Sequence, residues 1–187
     1  MIEIVDYRPG AELPPKLGEI LNRQAGIPED IEEAVRTIIA DVRTDGDAAL
    51  SRCSERFDGV ALSPEQFRIP SQVMTDARQS VNGDLLEAID AAAANIRAFH
   101  ERQRSNSWFM DDGDAVVLGK KVTALHRVGI CVPSGAAPLI SSLLMAAVPA
   151  QVAGVDEICI VTPPQSNGLP HPDLLAAASH VGIDEVY

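Results

Sequence analysis

The hexapeptide Pro133-Ser134-Gly135-Ala136-Ala137-Pro138 joins a β-branched run, Val128 to Val132, to an apolar segment that begins at Leu139. Between a parallel strand and a helix, a connection of small residues can hold the phosphates of a nucleotide. Free N–H groups of the first helical turn point at the anion, and short side chains let it come close. The usual dinucleotide fingerprint places three glycines as G-x-G-x-x-G. This loop has one, Gly135, and the next strand runs into Thr162-Pro163-Pro164 where a ribose-binding acid would stand. The residues alone leave two readings open, a cofactor cradle and a plain tight connection.

Other chemistry-bearing residues are scattered. Cys53, Cys131 and Cys159 are odd in number and lack the spacing of a zinc knuckle or a disulfide framework. Reduced thiols are expected, with Cys53 and Cys159 in the core, since buried cysteine behaves as a small hydrophobe. His171 and His180 flank a helical pattern too far apart for an i, i+4 metal pair. His100 ends a helix, where a basic group meets the negative end of the dipole, and His126 precedes a strand. Metal binding by this chain alone is not expected. The acid pairs Asp111-Asp112 and Glu32-Glu33 read as solvated faces.

Periodicity defines the elements that would position the loop. Leu139, Leu143, Ala146, Ala147 and Ala150 recur at helical spacing, and Gly154 stands where that helix would stop. Glu157 to Val161 supplies a second strand, His171 to Val181 a second helix with Leu174, Leu175 and Ala178 inward, and Asp184 to Tyr187 a third strand. The unbroken run from Val128 to Val132 predicts a parallel strand buried on both faces, joined to the next by a right-handed crossover.

Upstream, Met1 to Val5 reads as a short strand. Pro28 with Glu29 and Asp30 starts a helix whose buried stripe is Ile31, Ala34, Val35, Ile38, Ile39 and Val42. Gly46 ends it, and Asp47 caps a helix through Phe57 that carries Leu50, Cys53 and Phe57 on one apolar face. Gln66 to Pro70 reads as a brief strand or extended arm, and helices follow at Ser71 to Val81 and Asp84 to Gln103. Ser105 to Gly113 reads as a loop, with strands at Ala115 to Leu118 and Lys121 to Leu125 about a turn at Gly119-Lys120. The class is α/β, with a helix-rich lobe over residues 1–126 and a parallel βαβαβ unit over 127–187.

A chain of 187 residues with 46% hydrophobic content suits one domain or two small ones. Fifteen basic against 27 acidic residues give a net charge of −12, which disfavours nucleic acid and anionic membranes as partners. No apolar run is long enough to span a bilayer, and Met1-Ile2-Glu3 does not begin a signal sequence, so a cytoplasmic location is expected.

Three ordered blocks carry a resemblance. Asp41-Val42-Arg43 with Gly46-Asp47-Ala48-Ala49-Leu50 and Arg56-Phe57-Asp58-Gly59 forms the first. Ala94-Asn95-Ile96-Arg97 with Phe99-His100-Glu101 and Gln103 forms the second, and Arg127 to Pro164 the third. From about Ile31 onward the chain resembles histidinol dehydrogenase. The resemblance implies that residues 127–187 are an incomplete Rossmann-like unit and that NAD lies along its loop, with Cys131, Pro133, Ser134 and Gly135 as cofactor-binding positions and Ser141 on the substrate side. Ser141 is equally suited to capping the following helix. Cys131 stands where the family usually has tyrosine, and Ser134 where it has glycine.

The family reaction oxidises L-histidinol to L-histidine with two NAD molecules in histidine biosynthesis. It uses zinc to position the substrate and a glutamate and histidine as acid and base. The motifs for those roles fall beyond Tyr187 in the family, so the resemblance implies an N-terminal portion that is inactive alone. Family members are homodimers, which favours self-association here. The alternative is a non-catalytic truncated paralogue that acts as a self-associating or binding module.

Overall fold

The computed structural model describes residues 7, 8, 10, 12–21, 27–111, 113, 116–133 and 137–187, so the strand expected at Met1 to Val5 lies outside the described residues. The chain divides into two compact units, Met1–Gly46 and Asp47–Tyr187. In the first, α1 (Pro15–Leu21) is followed by α2 (Glu29–Asp45), with Glu29, Asp30 and Glu32 in the first turn of α2, where acids face the positive end of the dipole. Gly46 ends α2 with φ 57°, and its N–H donates to the Val42 carbonyl at 2.9 Å.

The stripe expected to be buried on α2 is open to solvent. Ile31, Val35 and Ile39 are 50%, 48% and 45% exposed, Ala34 is exposed, and Ile38 and Val42 are half-buried. Spacing decides which residues share a face of a helix; burial also needs a surface opposite, and α1 contributes no buried residue.

The second unit begins with α3 (Asp47–Cys53), which passes into a π-helical turn, Ser54–Asp58, ended by Gly59 at φ 70°. The wider turn shifts the helical register, so Ala49 and Ser54 are buried while Leu50 and Phe57 are exposed. The apolar face expected through Leu50, Cys53 and Phe57 is therefore broken, and Cys53 is only half-buried. After a 3₁₀ turn at Pro64–Gln66, helices α4 (Ser71–Ser80) and α5 (Gly83–Glu101) fall close to their predicted bounds. Asn82 caps α5 by accepting the Asp84 N–H.

The stretch read as a loop around Trp108 is a strand. β1 (Trp108–Asp111) pairs antiparallel with β2 (Val117–Lys120), Trp108 opposite Lys120 and Asp111 opposite Val117. Lys121 to Leu125, read as a strand, has no ladder. The Ser107 hydroxyl sits at its start, accepting the Val122 N–H at 2.8 Å and donating to the Val122 carbonyl at 3.3 Å.

The chain then enters β3 (Arg127–Cys131), α6 (Ile140–Ala153), β4 (Glu157–Val161), α7 (Pro172–His180) and β5 (Glu185–Val186). The sheet is parallel in the order β3-β4-β5, with Arg127 level with Glu157 and Cys159 level with Glu185. Right-handed crossovers that advance in one direction place both helices on the same face. Only that face is covered. Ile160 and Val186 are fully buried against the helices, whereas Arg127, Gly129, Cys131, Glu157 and Val161 are exposed. β3 accordingly alternates in exposure instead of being buried on both sides, and Cys159, expected in the core, is half-buried.

One core unites Met74 and Ala77 of α4, Ile89 of α5, Leu143 and Val148 of α6, and Leu174 to Ala178 of α7 with Ile160 and Val186. α4 packs along α7 and α5 along α6. The compositional change at 126–128 lies inside this second unit. Gly154, at φ 83°, closes α6 through its N–H to the Gln151 carbonyl.

Candidate functional site

Three parallel strands end at one edge of the sheet, and ligands of open α/β sheets bind outside such carboxyl ends. Cys131 ends β3 and is exposed, as is Pro133. Between them Val132 is buried and donates its N–H to the Val161 carbonyl at 2.9 Å, so the chain leaves the sheet at Pro133. Ser134 and Gly135 lie outside the described residues. Ser141 is exposed in the first turn of α6. Leu139 holds the N-cap position with no side-chain hydrogen bond, so Ser141 does not cap this helix.

The edge also contains Thr162 and Tyr187, which the sequence reading passed over although each directly follows a strand. The Thr162 N–H donates to the Tyr187 carbonyl at 3.0 Å, and the Tyr187 N–H to the Ile160 carbonyl at 2.8 Å. The Tyr187 hydroxyl donates to Glu185 Oε1 at 2.6 Å, and Arg127 reaches the same oxygen at 2.6 Å and Glu157 Oε2 at 2.8 Å. These four side chains form a hydrogen-bonded row on the uncovered face. Bonds from the Tyr187 hydroxyl and then Arg127 lower the Glu185 pKa below its ordinary value, while the carboxylate raises that of the Tyr187 phenol.

The cavities lie elsewhere. One of about 290 Å³ opens at the opposite end of the strands, between Arg68, Gln151, Asp156, Glu157 and Asp184. A larger one of about 650 Å³ lies at the ends of α5 and α6, lined by His100, Arg104, Val122, Leu125 and Val152.

The histidines are dispersed. His180 Nε2 lies 2.7 Å from Asp90 Oδ1, joining α7 to α5, while His171 Nδ1 accepts the Asp173 N–H and starts α7. His126 lies 3.9 Å from Glu157, and the His100 ring meets Phe99 edge-on. Among the described residues no three His, Cys, Asp or Glu side chains are grouped to hold a metal ion. No helix among them is long and apolar enough to cross a membrane.

The family model described as histidinol dehydrogenase matches residues 21–187. This chain belongs to the histidinol dehydrogenase family. It is 46% identical over 159 residues to a histidinol dehydrogenase of Geobacillus kaustophilus, covering 85% of this chain and 37% of that protein. It is 43% identical over 175 residues to one of Nitratidesulfovibrio vulgaris, covering 92% of this chain and 40% of that protein. The crystal structure of histidinol dehydrogenase from Elizabethkingia anophelis matches with a TM-score of 0.80 and 31% identity, over 94% of this chain and 40% of that one. The chain thus spans about two fifths of the length of these relatives. The matched region takes in the whole β3 to β5 unit, so the resemblance in the sequence blocks and the likeness in fold concern the same residues.

Proposed function

We propose that this chain supplies the cofactor-facing part of a histidinol dehydrogenase, in which L-histidinol is oxidised to L-histidine with NAD as hydride acceptor. The match that runs unbroken through residues 21–187 carries this reading. Cys131 and Pro133 border the NAD, Ser134 and Gly135 pass beneath it, and Ser141 faces the substrate from the first turn of α6. Exposure of Cys131, Pro133 and Ser141 at the carboxyl edge supports those roles.

Zinc does not fit the described residues, whose histidines are committed to separate helix ends and strand starts. The metal and the acid/base pair belong to the part of the family fold that this chain does not span, and the assembled enzyme is a homodimer. Alone, the 187-residue chain turns over no histidinol.

Calorimetric titration with NAD, in parallel with Cys131→Tyr, tests the cofactor role. Binding gained or tightened in the variant supports a cradle that has lost one aromatic contact. Absence of binding in both, even with the rest of the fold supplied, sinks it. The exposed thiol where the family carries tyrosine favours a second reading, a non-catalytic module that associates through its uncovered sheet face. Retention of the association surface without NAD affinity would select that reading.

A further inference from the structure

We propose that the β1–β2 hairpin is a docking element, and that its occupant is polypeptide corresponding to the three fifths of the histidinol dehydrogenase fold that this chain does not span. The identity of the occupant rests on the functional reading above; the docking surface rests on the hairpin itself.

Every residue of the β1–β2 ladder is exposed. The pleat sorts them onto two faces. Trp108, Met110, Leu118 and Lys120 share one; Phe109, Asp111, Val117 and Gly119 share the other. Trp108, Phe109, Val117 and Leu118 are 55%, 65%, 61% and 54% exposed, so both faces present large apolar side chains and neither is covered. An isolated two-stranded ribbon is marginal in water, and aromatic residues with methionine mark the cores of interfaces.

The hairpin is nevertheless shaped. A Cβ at Gly119 would meet the Trp108 carbonyl oxygen and come within 2.5 Å of the Phe109 ring, so only glycine lets the two strands close with the ring lying across them. The Ser107 hydroxyl pins the base through both polar groups of Val122.

Two observations select the occupant. In the structure from Elizabethkingia anophelis, 94% of this chain matches 40% of a longer polypeptide, so this fold recurs with the remaining 60% of a chain packed beside it. A second copy is disfavoured because each chain has a net charge of −12, and stacking two brings like charge together.

Trp108 is the only tryptophan, so 5-fluorotryptophan labelling places one ¹⁹F reporter on the hairpin. The labelled chain is titrated with a separately produced polypeptide comprising the Geobacillus kaustophilus sequence that follows the matched segment. The expected result is a ¹⁹F shift with loss of iodide access on binding, and an affinity at least about tenfold weaker for Leu118→Asp or Val117→Asp, one on each face. Both variants should keep the helical circular dichroism of the parent, because their sites are exposed. Co-expression provides a second reading where the added polypeptide folds only against this chain, and failure to co-purify overturns the proposal. It is also overturned by binding that leaves Trp108 accessible, or by a ¹⁹F shift that follows the concentration of this chain alone, which would identify a second copy. Protection of Trp108 without histidinol oxidation would sink the functional reading and leave the docking surface. Oxidation with Trp108 still exposed would do the reverse.

Discussion

The Ile69 N–H donates to the Val186 carbonyl oxygen at 2.9 Å, tying the segment before α4 to the last strand of the sheet. β5 has only two ladder residues, so this bond extends its pairing on the side away from β4. It also seats the Ile69 side chain, 4% exposed, in the core that α4 and α7 share with the sheet. A sheet edge that looks open in the sequence is partly closed by chain lying more than a hundred residues earlier.

Ile69→Ala should therefore destabilise the second unit by about 2–4 kcal/mol, through lost burial and the cavity left behind. Ile31→Ala, on the exposed stripe of α2, should change stability by no more than about 0.5 kcal/mol beyond its small helix-propensity effect. Urea unfolding of the two variants side by side checks the contrast. Equal losses would mean that the α2 stripe is covered in solution.

The row Arg127, Glu157, Glu185 and Tyr187 gives stability a pH dependence with two limbs. The folded Glu185 pKa is lowered from an ordinary 4.5, so its contribution is complete above that value and is lost as pH falls through the folded pKa. The Tyr187 phenol is raised from an ordinary 10.0, so its contribution is complete below 10.0 and is lost as pH rises through the folded pKa. Glu185→Gln should remove the acid limb and shrink the alkaline one, read as melting temperature between pH 3 and 11. An unchanged profile would mean that the row does not persist in solution.

Gly119→Val should separate β1 from β2, because the added side chain collides with the Trp108 backbone. The core contains no ladder residue of this hairpin, so global unfolding should move by less than about 1 kcal/mol while cross-strand contacts between Trp108 and Lys120 disappear from NMR spectra. Persistence of those contacts would show that the strands can close without glycine.

Legibility in the sequence followed the range of the interactions. The periods of α4 and α5 are local, so both helices were readable to within about two residues of their bounds. β1 has four residues, and its pairing with β2 is set by register with a strand beyond masked and turn positions, so Trp108 among polar neighbours read as a loop. The stripe of α2 was legible as a stripe, but no sequence pattern records whether a surface faces it. The uncovered sheet face was hidden for the same reason: Val128 and Ile130 announce a strand, whereas the single face that α6 and α7 cover follows from strand order and crossover hand. At the candidate site, the strand end at Cys131 was readable from the proline that follows it. The contribution of Tyr187 depended on a hydrogen bond to Glu185 that no spacing rule singles out.

Cys131 offers a direct test of the cradle, since its thiol is exposed while those of Cys53 and Cys159 are half-buried. An aromatic disulfide reagent should therefore label one thiol quickly and two slowly in the native chain, with the fast phase absent in Cys131→Ser. A dinucleotide lying along the loop would cover that sulfur. If the native chain, or its complex with the rest of the family fold, binds NAD at this edge, saturating NAD should slow the fast phase about tenfold or more, by the fraction of time the site is occupied. Protection by NAD but not by inorganic phosphate would place the contact along the dinucleotide rather than at an anion subsite. Fast labelling that NAD leaves unchanged, under conditions where calorimetry shows binding, would move the cofactor away from Cys131 and leave this strand end with a structural role.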